Sequence, residues 1–174
     1  MLAIALIFPA ASAYAQQTSS NNHGTAISAS FSTLREDQAG FSYWDKGFQA
    51  DIHQPLGASI FSVGLGLVGD FSTNHNAFYD DSLKSYLGGL RLTFGSSPMI
   101  EPFAQALIGT EQCCSSSKSF VFQPGVGVNV WFMHRVAIRG QIDYRLARYS
   151  TNGTSTTYNE TRVNVGAVVS LSKR

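Results

Sequence analysis

Asp51 and His53 stand two residues apart, and on a β-strand that spacing puts both side chains on one face. A histidine base with a carboxylate to orient it is the working pair of many hydrolases. The pair is incomplete here, because no serine nucleophile is fixed beside it by the sequence. His75, Asp80 and Asp81 form a second acid–base set. An enzyme acting on lipid or peptide would have to bring them within hydrogen-bond reach of one another and of a serine. His23, His75 and His134 are not linked by metal-ligand spacing. Cys113 and Cys114 are adjacent, so a disulfide between them would close a strained ring. These residues predict no catalytic, cofactor or metal site.

A richer constellation is ionic. Asp51, Asp70, Arg91, Arg139, Asp143, Arg145 and Arg162 all fall on the polar face of an alternating pattern, interleaved with glycine. Such a set could line an ion path, or it could tie strands together as a buried lattice. Buried charges persist only when paired, and acids and arginines are near balance here. The expectation is therefore a lumen charge lattice made by those seven residues.

The elements that must carry these side chains have a period of two throughout, with no convincing helical periodicity. Phe120, Phe122, Val126, Val128, Val130 and Phe132 share one face against Gln123, Gly125, Gly127 and Asn129. Thr161, Val163, Val165, Ala167, Val169 and Leu171 alternate with Arg162, Asn164 and Gly166. The same reading over Ile27–Ser32, Phe48–His53, Phe61–Phe71, Tyr86–Phe94, Phe103–Gly109 and Val136–Leu146 brings the number of strands to eight. Short connections are expected near Gln54–Ser59, Gly95–Ile100 and Met133–Arg135. Longer polar ones are expected near Glu36–Lys46, Ser72–Ser82, Gln112–Lys118 and Ser150–Glu160. Strict alternation of short and long connections is what an up-and-down barrel requires.

The signal sequence, the alternating loop lengths and the small-residue polar face decide which face is outside, and the composition agrees. Charged residues are only 13% of the 174, while Gly numbers 16 and aromatics reach 12%. An ordinary soluble domain carries about 25% charge. A net charge of +1 gives no reason to expect nucleic acid. Residues 1–15 read as a signal peptide, with an apolar run from Leu2 to Phe8 and the small-x-small sequence Ala13-Tyr14-Ala15. Residues 16–24 read as a flexible leader and 25–174 as the barrel domain. No apolar run reaches the roughly 20 residues a spanning helix needs. The sequence thus predicts an all-β, eight-stranded antiparallel up-and-down transmembrane β-barrel whose apolar side chains face lipid. Aromatics at strand ends (Phe41, Tyr43, Trp44, Phe78, Tyr79, Tyr86, Phe94, Phe132, Tyr149, Tyr158) are expected in interfacial girdles or loops.

From Gly47 onward the chain resembles the small outer-membrane β-barrels of the porin-like and OmpA-like membrane-domain families. The likeness is carried by Val68-Gly69-Asp70-Phe71, by Pro102-Phe103-Ala104-Gln105-Ala106-Leu107, by Pro124-Gly125-Val126-Gly127-Val128 and by Ile142-Asp143-Tyr144. It implies residence in the cell outer membrane, contact with its lipid and lipopolysaccharide, and assembly by the barrel-insertion machinery. Such barrels finish on an aromatic residue read during assembly, where this chain reads Leu171-Ser172-Lys173-Arg174. The functional expectation is a non-enzymatic barrel with a structural or surface-interaction role, acting through outer loops that hold Arg35, Glu36, Asp37, Asp45, Asp80 and Asp81. Its ligand there is unassigned. The alternatives are an outer-membrane barrel enzyme acting on lipid or peptide, a narrow porin, and a soluble lipocalin-like carrier with an apolar lumen.

Overall fold

The computed structural model describes residues 24–38, 41–60, 63–76, 81–95, 97, 99–113, 117–151 and 154–171. The readings for residues 1–15 and for most of 16–24 fall outside them. Eight strands follow one another: β1 (Ala26–Gln38), β2 (Phe41–Ile60), β3 (Val63–Asn76), β4 (Asp81–Phe94), β5 (Ile100–Cys113), β6 (Ser117–Met133), β7 (Val136–Thr151) and β8 (Thr154–Ser170). Each pairs antiparallel with the next, and β8 closes on β1. Closure leaves no free sheet edge, so every strand's backbone can be satisfied within the wall.

Followed once around from Ala26 through His53, Val68, Gly89, Leu107 and Gln123, then to Arg145 in the register set by Phe122↔Leu146 and Gly125↔Asp143, and on to Glu160, the ladders return to β1 at Glu36, ten residues along. That stagger tilts the strands by roughly 40° and makes an interior that side chains can fill. The pleat then sorts the residues. Phe31, Phe48, Ile52, Leu67, Leu90, Ile108, Val126, Ile138, Ile142 and Val165 are exposed on the outside. Arg91, Arg139, Arg145 and Arg162 are buried on the inside. The inversion of a soluble protein, expected from the sequence, is what the structure has. The apolar outer band is about ten residues deep along the tilted strands, or about 25 Å.

The connections differ from the sequence reading. At the end of the barrel away from Thr25 and Leu171 (the distal end), strands run deep into the segments expected to be long loops. They leave only residues 39–40, 77–80, 114–116 and 152–153 between them. The distal wall is therefore built of strand. Polar residues occupy both faces there, which erases the apolar alternation while leaving the ladder intact. At the other end, the expected turn Gln54–Ser59 lies inside β2. Its register against β3 shifts between Pro55 and Ser59, where proline lacks a ladder donor and Gly57 takes φ +72°. Arg35 is exposed, but Asp45, assigned by sequence to a loop, is buried on the inner face of β2. Trp44, Tyr86, Phe94 and Phe132 point outward, as a girdle requires. Tyr149 instead faces the lumen, and its ring meets Tyr158 edge-on at 5.4 Å. Phe78, Tyr79 and Asp80 lie outside the described residues, and nothing is described of the Phe41, Tyr43, Glu36, Asp37 and Asp81 side chains.

Candidate functional site in the barrel lumen

The lumen is crossed at three levels. Lowest, toward the chain termini, Arg139 on β7 donates to Asp51 Oδ2 on β2 at 2.5 Å, to Ser28 Oγ at 3.2 Å and to Asn129 Oδ1 at 2.8 Å. Asn129 donates in turn to Glu101 at 2.7 Å. Arg91 on β4 reaches the other Asp51 oxygen at 3.5 Å and donates through Nε and Nη2 to Gln105 Oε1 at 3.0 and 2.7 Å. The ring of Phe103 packs against both guanidiniums, with centroid distances of 4.4 Å to Arg91 and 5.0 Å to Arg139. Each cation gains from the quadrupole of the ring, by about 2 kcal/mol when desolvated.

At the middle level Asp143 is the hub. It accepts from Gln141 at 2.9 and 2.8 Å, from Asn164 at 2.9 Å and from Arg162 Nε at 3.1 Å, with Gln105 at 3.4 Å. Arg162 also donates to Ser72 at 2.9 Å and to Asp70 Oδ2 at 3.3 Å, and Gln49 donates to that same Asp70 oxygen. The upper level centres on Arg145. It pairs with Glu111, with Glu160 at 3.0 Å and with Ser85 at 3.3 Å, while the Tyr149 hydroxyl donates to Glu111 at 2.7 Å. Every buried guanidinium thus meets a carboxylate from another strand, which is the condition for burying charge at all.

Apolar side chains occupy the rest of the interior. Val68, Leu87, Leu107, Val121 and Ala147, with Tyr149, form one inner cluster, and Ala26, Trp131, Ala137 and Val168 form another near the termini. The lumen is therefore part lattice and part apolar fill.

All seven residues of the sequence-based constellation are buried in this interior, and ion pairs join six of them in two groups of three. Asp51, Arg91 and Arg139 share the lower level, Asp70, Asp143 and Arg162 the middle one, and Arg145 stands above with glutamates. Those glutamates were missed, as were Glu101 and Phe103 as lattice partners. Parity would have found them: Glu101, Phe103 and Glu111 share the face of Gln105, and Glu160 that of Arg162. The inner glycines make room for the lattice: a Cβ on Gly125 would meet the Asp143 carboxylate, and one on Gly127 the Phe103 ring. Asp51 is taken up by Arg139, Arg91 and Ser28 and does not orient His53, whose Nε2 lacks a hydrogen-bond partner. His75 points outward and is exposed. Among the described residues no cluster of three or more metal-binding side chains occurs.

A closed eight-stranded barrel with an apolar outer wall and an ion-paired interior is a transmembrane β-barrel of the outer-membrane type. No protein-family model matches the chain, nor does any curated protein. Among solved structures it is similar to Neisserial surface protein A (NspA), with a TM-score of 0.65 and 13% identity over 85% of this chain and 97% of that one. It is also similar to Ail, the attachment invasion locus protein of Yersinia pestis, with a TM-score of 0.53 and 15% identity over 83% of this chain and 97% of that one. A third is the outer membrane enzyme PagL, with a TM-score of 0.51 and 14% identity over 84% and 99%. Surface proteins and an enzyme share this architecture, so the likeness defines the fold and not the role.

Proposed function

We propose that this protein is a non-enzymatic outer-membrane barrel that presents its distal wall at the cell surface as a contact surface and conducts no ions. The reading rests on the three-level lattice: four guanidiniums bridge carboxylates across the full width of the lumen, flanked by apolar fill. Eight strands leave no room for an aqueous channel beside such side chains. Rigidity is the useful product, because a braced barrel holds the polar strand extensions in a fixed array. Contact with envelope lipid and lipopolysaccharide, export through residues 1–15 and assembly by the insertion machinery belong to the same reading. The barrel enzyme is less favoured because Asp51, two residues from His53 on the same strand, is committed to Arg139 and Arg91.

Two measurements test it. In planar bilayers the purified barrel is expected to give no discrete conductance steps; regular steps at neutral pH would remove the non-conducting reading. An epitope inserted at residues 152–153 should be accessible to antibody on intact cells, whereas one at 134–135 should need permeabilised cells. The reverse pattern would sink the surface role.

A further inference from the structure

Every described carboxylate is turned into the lumen: Asp45, Asp51, Asp70, Glu101, Glu111, Asp143 and Glu160 are all buried. Among the described residues, the exposed charged groups on the outer wall of the strands are bases, namely Arg35, Lys46, His75, Lys84 and Arg148. All of these lie just beyond the distal edge of the apolar band. Three are neighbours: Lys46 on β2 stands opposite His75 on β3, and Lys84 on β4 stands opposite Thr73, diagonal to His75. Opposite residues on a face are about 5 Å apart and diagonal ones about 7–8 Å.

Directly below this trio the wall is hollowed by a groove of about 510 Å³. Phe71 and Tyr86, their rings 5.2 Å apart, stand at its distal end. Ala50 and Gly69 line its middle, and Ile27 and Ile52 its lower end. A Cβ placed on Gly69 would make an ordinary contact with Ile52 Cγ2 at 3.5 Å, so the glycine leaves the floor of the groove without a side chain there. Along β2, Ala50 lies four residues below Lys46, about 13 Å at the strand's rise. Cations above and an apolar trough running down from them have the shape and polarity of one amphiphile, with an anionic head and a hydrocarbon tail.

We propose that the β2–β4 face binds one molecule of a phosphorylated outer-leaflet glycolipid of the lipid A class, its phosphate held between Lys46 and Lys84 beside His75 and one acyl chain lying in the groove. Thr73, opposite Lys84 in the ladder, and Ser82, opposite His75, set hydroxyl partners among the cations, which suit the hydroxyl-rich sugar head of such a lipid. The site deepens the surface reading above, since it places the distal end in the outer leaflet. Its test in detergent does not depend on which way the barrel faces in the cell.

The full barrel, purified from outer membranes in detergent and stripped of lipid, is titrated with lipid A and read by native mass spectrometry. One lipid A is expected to be retained. Lys46→Gln with Lys84→Gln should weaken retention roughly thirtyfold, given about 1 kcal/mol per cation at an anionic surface. Ala50→Leu or Gly69→Leu, which fill the groove and leave the cations in place, should also lose it, whereas Arg148→Gln on β7 should retain it. Boil-sensitive gel mobility confirms that each variant is folded. The proposal is overturned by any of four results: equal retention by wild type and the double lysine variant, an equal loss in Arg148→Gln, equal retention of dephosphorylated lipid A, or equal capture of phosphatidylglycerol. Failure of these tests with epitope 152–153 still accessible on cells would remove the lipid site and leave the surface role standing.

Discussion

Asp143 concentrates more of the interior's bonding than any other residue described, with Gln141, Asn164, Arg162 and Gln105 converging on one carboxylate. Removing it leaves Arg162 with Asp70 and Ser72 but strips the amide donors of their acceptor. A buried ion pair broken from one side costs about 3–5 kcal/mol. Asp143→Ala is therefore expected to lower the urea midpoint of the barrel in lipid vesicles strongly. A near-native midpoint would show that the lattice bears little on stability. Phe103→Leu removes the ring shared by Arg91 and Arg139 and keeps most of the volume, so a smaller loss of about 1–2 kcal/mol is expected. Gly125→Ala places a methyl group against the Asp143 carboxylate. Its cost should shrink markedly in the Asp143→Ala background, which a double-mutant cycle would detect.

At the scale of the element, the distal halves of β7 and β8 carry the sharpest difference from the sequence reading. Residues 150–160 read as a loop because serine, threonine and asparagine show no apolar alternation, yet Thr156 pairs with Tyr149 and Thr157 with Arg148. Threonine is a good strand former, and the Tyr149–Tyr158 contact adds a cross-strand pair of the kind that stabilises sheets. Amide hydrogen exchange should therefore show protection through 156–160, continuous with that of 161–168. Exchange at open-coil rates would mean that the ladder ends with the apolar band. Apolar alternation marks only strand that meets lipid on one side, so strand standing in water on both sides goes unseen by it.

The whole molecule behaves as one closed body. The stagger of ten residues around eight strands fixes an interior of a given width, and side chains from every part of the sequence must fill it together. Boil-sensitive mobility is expected, with one cooperative transition. Replacing Arg91, Arg139 and Arg162 together by alanine should lower the temperature of that transition and open conductance in planar bilayers. A triple variant that stays silent and equally heat-resistant would show that the apolar clusters alone seal and brace the lumen.

The sequence alone determined the strand number, the alternation and the direction of each face. These follow from a period of two and from glycines opposite bulky apolar residues, which are local, and from a shortage of charge along the whole chain. It did not determine which charges meet. Asp51 and Arg139 are 88 positions apart, and only the register of closure brings them together. Nor could it show that the distal wall is strand, because pairing there rests on the partner's backbone and not on side-chain pattern. The hollow beneath Lys46 and Lys84 likewise exists only once three strands lie side by side, since a groove is a property of surfaces that the chain must first fold to possess.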